Sequence, residues 1–270
     1  MKFKLLFVAS LAVAALCGCS KSAEQTKTLV LYYSQTGATK AVAEELQSRL
    51  GADIAGIEAI EPYADDYDAT VKRWREEREN GVKVEIQPLD IDINRYDTIF
   101  LGFPIWGGTY ASPMETFLAD NSLEGKTVVT FATFGSGGLD SATADVVKAQ
   151  PKAKVVKGYG VRNARVEKAP AEITRFLIEG GYIKGEIAPM PEYGEETPVT
   201  EEDIAVFNAA CGDYRFPLGT PVTVAKRTVD GVEDYRFNVK SQTPDGSETS
   251  STIYVVVPQG SNPEFTQVVR

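Results

Sequence analysis

Five apolar runs of strand length alternate with amphipathic segments of helix length between residues 28 and 180. The runs predict strands over residues 28–33, 52–57, 97–102, 127–133 and 154–161. The other segments repeat apolar residues at helical spacing and predict helices over residues 39–50, 65–80, 112–118, 141–149 and 169–180. A helix between two strands predicts parallel pairing with a right-handed crossover. We therefore expect an α/β domain with a doubly wound five-stranded parallel sheet, for which 2-1-3-4-5 is one of the two common strand orders.

The pattern changes after residue 187. Prolines and a glycine predict a linker over residues 188–199, and Thr200 begins a short helical segment that reaches residue 210. Three alternating runs follow, at residues 220–229, 232–240 and 248–257, separated by Asp-Gly turns. Residues 200–270 are therefore expected to form a small α+β domain, an antiparallel β-meander with one helix. The α/β domain before the linker covers residues 28–187.

The N-terminal segment has the features of an export signal. Two lysines precede an apolar run of about twelve residues, 5–16, which is shorter than the ~20 residues that span a membrane. The run ends in Leu-Cys-Gly-Cys, which resembles the lipobox of bacterial lipoprotein precursors. This resemblance implies cleavage after residue 18, acylation of Cys19, and a tether over residues 20–27. The protein would then be exported and anchored only by its lipid to a bacterial envelope membrane, at the periplasmic or surface face. The alternative is an ordinary cleaved signal, residues 1–19, in which Cys19 is incidental.

The absence of histidine removes several kinds of chemistry. Catalytic Ser-His-Asp triads, Cys-His dyads, histidine zinc sites and imidazole pH switches all need a side chain that this sequence lacks. Only Cys211 remains beyond the signal segment, so no intramolecular disulfide framework is possible. The net charge of −10 disfavours nucleic-acid binding, and no metal site is expected. Any reaction must use carboxylates, hydroxyls, backbone amides or a bound cofactor.

Three loops follow predicted strands at the edge where an open parallel sheet binds its ligands. The first consists of Ser34, Gln35, Thr36, Gly37, Ala38 and Thr39. Its hydroxyls and glycine precede a helix N-terminus, an arrangement that offers N–H and O–H donors to a phosphate. The spacings of the Walker loop and of the dinucleotide-binding glycine motif are both absent. The alternative is a capping loop that binds nothing.

The second loop contains a large planar side chain among glycines, and the third is also rich in glycine. The candidate binding residues of the second loop are Pro104, Ile105, Trp106, Gly107, Gly108 and Tyr110, and those of the third are Thr133, Phe134, Gly135, Gly137 and Gly138. The indole offers a stacking surface, and the glycines allow backbone amides to approach a ligand closely. The alternative for Trp106 is burial in the core. Trp74, on a charged helix, is interpreted as an anchor onto the sheet.

Residues 30–46 resemble the N-terminal phosphate-loop motif of the flavodoxin family, and the resemblance extends over about residues 27–184. The matching positions are Tyr32, Ser34, Gly37, Thr39, Ala43 and Leu46. The resemblance implies the flavodoxin-like strand order 2-1-3-4-5 and FMN as the cofactor. The first loop would hold the phosphate, Trp106 would stack on the ring, the Gly107 and Gly108 backbone would meet its N5 edge, and the third loop would line its other side.

The sequence departs from this family pattern at two positions. The family usually has a second bulky residue where this chain has Gly107, which leaves either Trp106 or Tyr110 to cover the outer face of the ring. Phe134 stands where relatives often have a small polar residue, which would make the pocket more apolar.

We expect an FMN-binding, membrane-anchored electron-transfer protein that exchanges electrons with a partner protein or a small-molecule acceptor. One alternative is an FMN-dependent NAD(P)H or quinone oxidoreductase. Some flavin reductases of this fold place a histidine beside the ring, so its absence here favours the carrier modestly. A second alternative is a non-redox surface lipoprotein whose C-terminal domain binds a partner.

Overall fold

A computed structural model describes residues 27–243 and 245–269 of the 270-residue chain. The predicted signal segment, the acylated Cys19 and most of the tether lie outside the described residues. Within those two ranges, no helix is both long enough and apolar enough to cross a membrane.

The α/β domain contains one parallel sheet with a short hairpin strand at its edge. Its strands are β1 (Thr28–Tyr33), β2 (Asp53–Ile57), β3 (Thr98–Trp106), β4 (Thr109–Tyr110), β5 (Thr127–Phe134) and β6 (Lys154–Arg162). The order β2-β1-β3-β5-β6 is parallel throughout, with β4 paired only to β3. Counted over the parallel strands alone, this is 2-1-3-4-5, so the predicted fold class is confirmed.

Helices cover both faces of this sheet. They are α1 (Ala38–Leu50), α2 (Tyr67–Glu79), α3 (Ser112–Asp120), α4 (Asp140–Ala149) and α5 (Ala169–Glu179). Leu46 of α1 and Ile173 of α5 pack on one face, while Met114 of α3 and Val146 of α4 pack on the other. Consecutive residues of β1, such as Val30 and its neighbours, are fully buried because each face of the strand meets a helix layer.

The third parallel strand is longer than the sequence predicts. It continues past Gly102 to Trp106 and then turns back as a hairpin, in which Ile105 pairs with Tyr110. Gly107 and Gly108 form the turn with φ values of 58° and 90°, the left-handed region that two-residue hairpin turns require. The segment predicted as a loop is therefore the end of β3 and a β-hairpin.

The C-terminal domain is a five-stranded antiparallel sheet covered by one helix. Its elements are β7 (Thr197–Pro198), α6 (Glu201–Cys211), β8 (Thr220–Val229), β9 (Val232–Gln242), β10 (Glu248–Val257) and β11 (Glu264–Val269), and the sheet order is β11-β10-β9-β8-β7. Phe207 and Cys211 of α6 pack against Phe237 and Ile253 of the sheet. The meander and its helix agree with the sequence prediction, whereas β7 and β11 were not predicted.

Candidate functional site

The loops after β1, β3 and β5 converge on a cavity of about 380 Å³ at the carboxyl edge of the parallel sheet. Ten of the seventeen predicted binding residues line it: Gln35, Thr36, Thr39, Pro104, Ile105, Trp106, Gly107, Thr133, Phe134 and Gly135. Larger grooves exist elsewhere, such as one of about 620 Å³ beside β2, but none of the three loops lines that groove. The convergence of the loops, rather than cavity size, identifies this site.

The first loop presents unpaired donors at the start of α1. Gly37 is the N-cap residue, with φ of 90°, and therefore offers no side chain to the first turn of the helix. That turn also contains no acidic residue, so the positive end of the helix dipole is not neutralised locally. The amides at this end of α1 are therefore suited to an anionic group.

The Ser34 hydroxyl is the clearest sign of a missing partner. Its Oγ is buried, and no described residue forms a hydrogen bond with it. A buried, unpaired hydroxyl typically costs about 1–3 kcal/mol, so native proteins seldom keep one without a reason. Thr39, by contrast, is paired, with its Oγ1 2.8 Å from Thr133 Oγ1, and this contact ties the first loop to the third. The unpaired Ser34 hydroxyl fits a loop whose polar partner is a bound phosphate.

Gln35 connects the first loop to α2 rather than to open space. Its Nε2 donates to the Ala64 carbonyl at 2.5 Å and to Thr70 Oγ1 at 2.6 Å. Helix α2 therefore forms a wall of the cavity. It also contributes to a set of lining residues that were not predicted as binding residues from the sequence, namely Asp65, Tyr67, Thr70, Val71, Trp74, Arg75 and Asn163.

The Trp106 indole lies between the cavity and the core. Its ring makes edge contacts with Tyr63, at a centroid distance of 4.8 Å, and with Tyr33, at 6.0 Å. The side chain is half-buried and lines the cavity as well, so the two interpretations of Trp106 each hold in part. Tyr110 instead packs on Phe103 at 5.9 Å and borders a different groove.

Trp74 of α2 fills the space beside Gly107. A Cβ atom placed on Gly107 would lie 2.1 Å from Cη2 of this indole. Trp74 Nε1 is buried and has no hydrogen-bond partner among the described residues. In the sequence, Trp74 stands out as a tryptophan on a charged helix, and Gly107 as a glycine where relatives have a bulky residue. The sequence did not predict their contact, because it depends on where α2 packs.

The third loop is fixed by the C-terminal domain. Arg162, at the end of β6, donates through Nε to the Gly135 carbonyl at 2.6 Å and through Nη1 to the Phe265 carbonyl at 2.7 Å. The backbone N–H of Val268 donates to the Ser136 carbonyl at 2.8 Å. Burial of this guanidinium lowers the pKa of Arg162. The loop is thus held between the two sheets.

The other seven predicted residues do not line the cavity, namely Ser34, Gly37, Ala38, Gly108, Tyr110, Gly137 and Gly138. Gly37 and Ala38 begin α1, Gly108 completes the hairpin turn, and Gly137 and Gly138 follow the lining part of the third loop. Phe134 is only 2% exposed and belongs to the core as well as to the cavity wall, so the wall is apolar at this point, as the sequence indicated.

The cavity has little acid–base chemistry of its own. Among the described residues, Asp65 and Arg75 are the only charged side chains that line it. Burial raises the pKa of Tyr33 and of Tyr63 above the usual tyrosine value, and the Tyr63 hydroxyl also donates to Glu77 Oε2 at 2.6 Å. In the part of the chain that the structure describes, no group of three or more carboxylates or thiols could hold a metal ion. The site is suited to binding and orienting a group rather than to proton transfer.

A family model described as flavodoxin matches residues 27–174, which is 148 of 270 residues and more than half of the chain. No curated protein sequence matches the chain. A solved flavoprotein in complex with FMN from Lactobacillus acidophilus NCFM is 29% identical, with 53% of this chain and 97% of that chain covered and a TM-score of 0.44. A candidate flavoprotein from Bacteroides eggerthii DSM 20697 is 28% identical, with 56% and 98% covered and a TM-score of 0.46.

Proposed function

Because this chain belongs to the flavodoxin family, we propose that it binds FMN and carries electrons between a donor and an acceptor. FMN supplies the redox chemistry when bound, and the protein supplies binding, orientation and exclusion of water. The observation that carries FMN binding is the buried Ser34 hydroxyl, which has no partner among the described residues and directly precedes the lining residues Gln35 and Thr36 of the first loop.

The residues of the cavity have distinct tasks in this proposal. The Ser34 and Thr36 hydroxyls and the first amides of α1 would hold the phosphate without any basic residue. Trp106 would border the ring from the position at which Tyr33 and Tyr63 fix it. The Gly107 and Gly108 backbone would approach the polar edge of the ring, because neither residue has a side chain that blocks it.

A titration of the protein lacking residues 1–19 tests cofactor binding. The protein, stripped of endogenous flavin, should quench FMN fluorescence with a stoichiometry of one per chain. A protein that leaves free FMN fluorescence unchanged over the micromolar range would refute the proposal.

A kinetic experiment separates the carrier from the FMN-dependent oxidoreductase. The carrier should pass electrons from photochemically reduced FMN to an added protein or small-molecule acceptor, with negligible steady-state oxidation of NADH or NADPH. Sustained turnover of either nucleotide, with or without a quinone, would favour the enzyme. Failure of both reactions in a protein that binds FMN would favour a partner-binding role for the C-terminal domain.

We further propose that Cys19 is acylated and holds the domain at a bacterial envelope membrane. The support is the apolar run of residues 5–16 followed by the lipobox-like Leu-Cys-Gly-Cys. Cys19→Ser should abolish incorporation of labelled palmitate and release the protein from membranes, whereas Cys17→Ser is the matched control and should change neither. Equal labelling of both variants would contradict the proposal.

A further inference from the structure

Gly107 has no side chain to offer to the cavity. The space beside it is filled by the indole ring of Trp74. Gly107 has φ of 58°, a conformation that disfavours other residues, and its missing side chain leaves room that the Trp74 ring occupies. The two residues come from different elements, the β3–β4 hairpin and α2. Trp74 thus reaches the hairpin from the opposite wall.

Helix α2 is held in place mainly by polar contacts. Its N-cap, Asp66, accepts from the Ala69 amide at 2.7 Å, and Glu77 is bound by Arg73 at 2.7 Å as well as by a tyrosine hydroxyl. The buried residues of this helix are Thr70 and Glu77, which are both polar. Trp74 is half-buried and lines the cavity, so its position is explained better by a ligand than by the core.

The indole N–H of Trp74 supports the same conclusion. Nε1 is buried without an acceptor among the described residues, and buried indole N–H groups usually find one. Trp74 and Ser34 are two of the three residues with a buried, unpaired side-chain atom in the described part of the chain. Trp74 lines the cavity, and Ser34 directly precedes the lining residue Gln35, so two of these three residues stand at or beside one site.

We propose that Trp74 is the aromatic wall of the FMN ring site and replaces, from α2, a side chain that position 107 lacks. The proposal rests on FMN binding in this cavity. Trp106 lines the cavity as well, from the hairpin side, with its ring positioned by edge contacts with Tyr33 and Tyr63. The ring site would then lie between an indole from α2 and the first and third loops.

Equilibrium titration of three variants tests this role. Trp74→Ala should weaken FMN binding by about 10-fold, because an aromatic contact is worth roughly one power of ten in affinity, and should leave bound FMN less quenched. Trp74→Phe should retain most of the affinity. Lys72→Ala changes an exposed residue of the same helix and is the matched control, with no expected change.

A double-mutant cycle tests the shared space without any cofactor. Gly107→Trp alone should lower the melting temperature of the FMN-free protein, because the new side chain meets the Trp74 ring. Adding Trp74→Ala should recover part of that loss, whereas two additive losses would show that the residues do not compete for one volume.

The failures of the two proposals are distinguishable. If the wild-type chain does not bind FMN, cofactor binding itself is refuted. If the wild type binds FMN and folded Trp74→Ala binds it equally tightly with equal quenching, only the role of Trp74 is refuted. Far-ultraviolet circular dichroism establishes that each variant is folded before its affinity is compared.

Discussion

At the scale of single residues, Ser34 allows a test in which stability and binding respond in opposite directions. Its buried hydroxyl has no partner among the described residues, so Ser34→Ala should leave the FMN-free protein as stable as the wild type or up to about 1 kcal/mol more stable. The same substitution should weaken FMN binding by about 10-fold, because a charge-assisted hydrogen bond to the phosphate is lost.

Thermal melting without FMN and fluorescence titration with FMN measure the two effects of Ser34→Ala. Ser48→Ala is the matched control, since this serine is exposed on α1 and away from the cavity. Unchanged FMN affinity in Ser34→Ala would contradict the phosphate role of the first loop.

Gly102 provides a second test, in the core below the cavity. A Cβ atom at this position would lie 2.0 Å from Cζ of Phe131 on the neighbouring strand, so Gly102→Ala should destabilise the protein by about 1–3 kcal/mol. Urea unfolding measures the change. Gly137→Ala, where nothing lies within 4 Å, is the control. Equal midpoints for the two variants would show that the Phe131 ring can move aside without loss of stability.

At the scale of elements, the apolar runs were sufficient to predict the five parallel strands. They did not predict strand β11 or the full length of β3. Residues 28–33 form β1 as predicted, because burial on both faces leaves an unbroken apolar run. Strand β11 was not predicted because only Phe265 and Val268 of its six residues are buried, which is too weak an alternation to recognise. The extension of β3 to Trp106 was not predicted because its glycines indicated a loop.

The part of the site that follows directly from local sequence could be predicted, and the part that depends on tertiary packing could not. The three loops could be predicted, since each directly follows a strand of the sheet. The contribution of α2 could not, because the Trp74–Gly107 contact joins segments whose relative position depends on polar anchors such as Gln35 with Thr70. No local pattern encodes that position.

Strand β6 links the third loop to the C-terminal sheet through one side chain, and Arg162→Ala tests this link. The substitution removes two hydrogen bonds, an exposed one to Gly135 and a partly buried one to Phe265, so we expect a loss of about 1–3 kcal/mol in stability and weaker FMN binding. Lys157→Ala on the same strand removes only an exposed ion pair and should cost less than about 1 kcal/mol.

Chemical denaturation and FMN titration of the two β6 variants provide the measurement. Arg162→Lys should not rescue the loss, because a lysine cannot reproduce the fork geometry that reaches both carbonyls. Full stability in Arg162→Ala would show that the loop is held by other contacts.

At the scale of the whole molecule, the pH dependence of stability should be concentrated on the alkaline side. With no histidine, no side chain has an ordinary pKa between 5 and 8. Burial raises the pKa of Cys211 from 9.0 to about 12, and burial with a hydrogen bond to Glu233 raises that of Tyr235 from 10.0 to about 12. Both residues belong to the C-terminal core.

Each of these acids is held neutral in the folded state, so its stabilising contribution is complete below the unfolded pKa and is lost as pH rises towards 12. Stability should therefore be nearly constant from pH 6 to 8 and fall above pH 9, with Cys211 contributing up to about 1.4 kcal/mol per pH unit. Urea midpoints between pH 6 and 11 measure the profile, and Cys211→Ala should make its alkaline limb shallower. An equally steep limb in that variant would exclude the thiol.

The backbone hydrogen bond from Val268 to Ser136 joins the edge strand β11 directly to the third loop. If a molecule binds β11 and changes the affinity for FMN by some factor, the two binding equilibria are coupled. FMN must then change the affinity for that molecule by the same factor. A molecule bound to the C-terminal sheet would then be coupled to the cofactor site without contacting the cofactor.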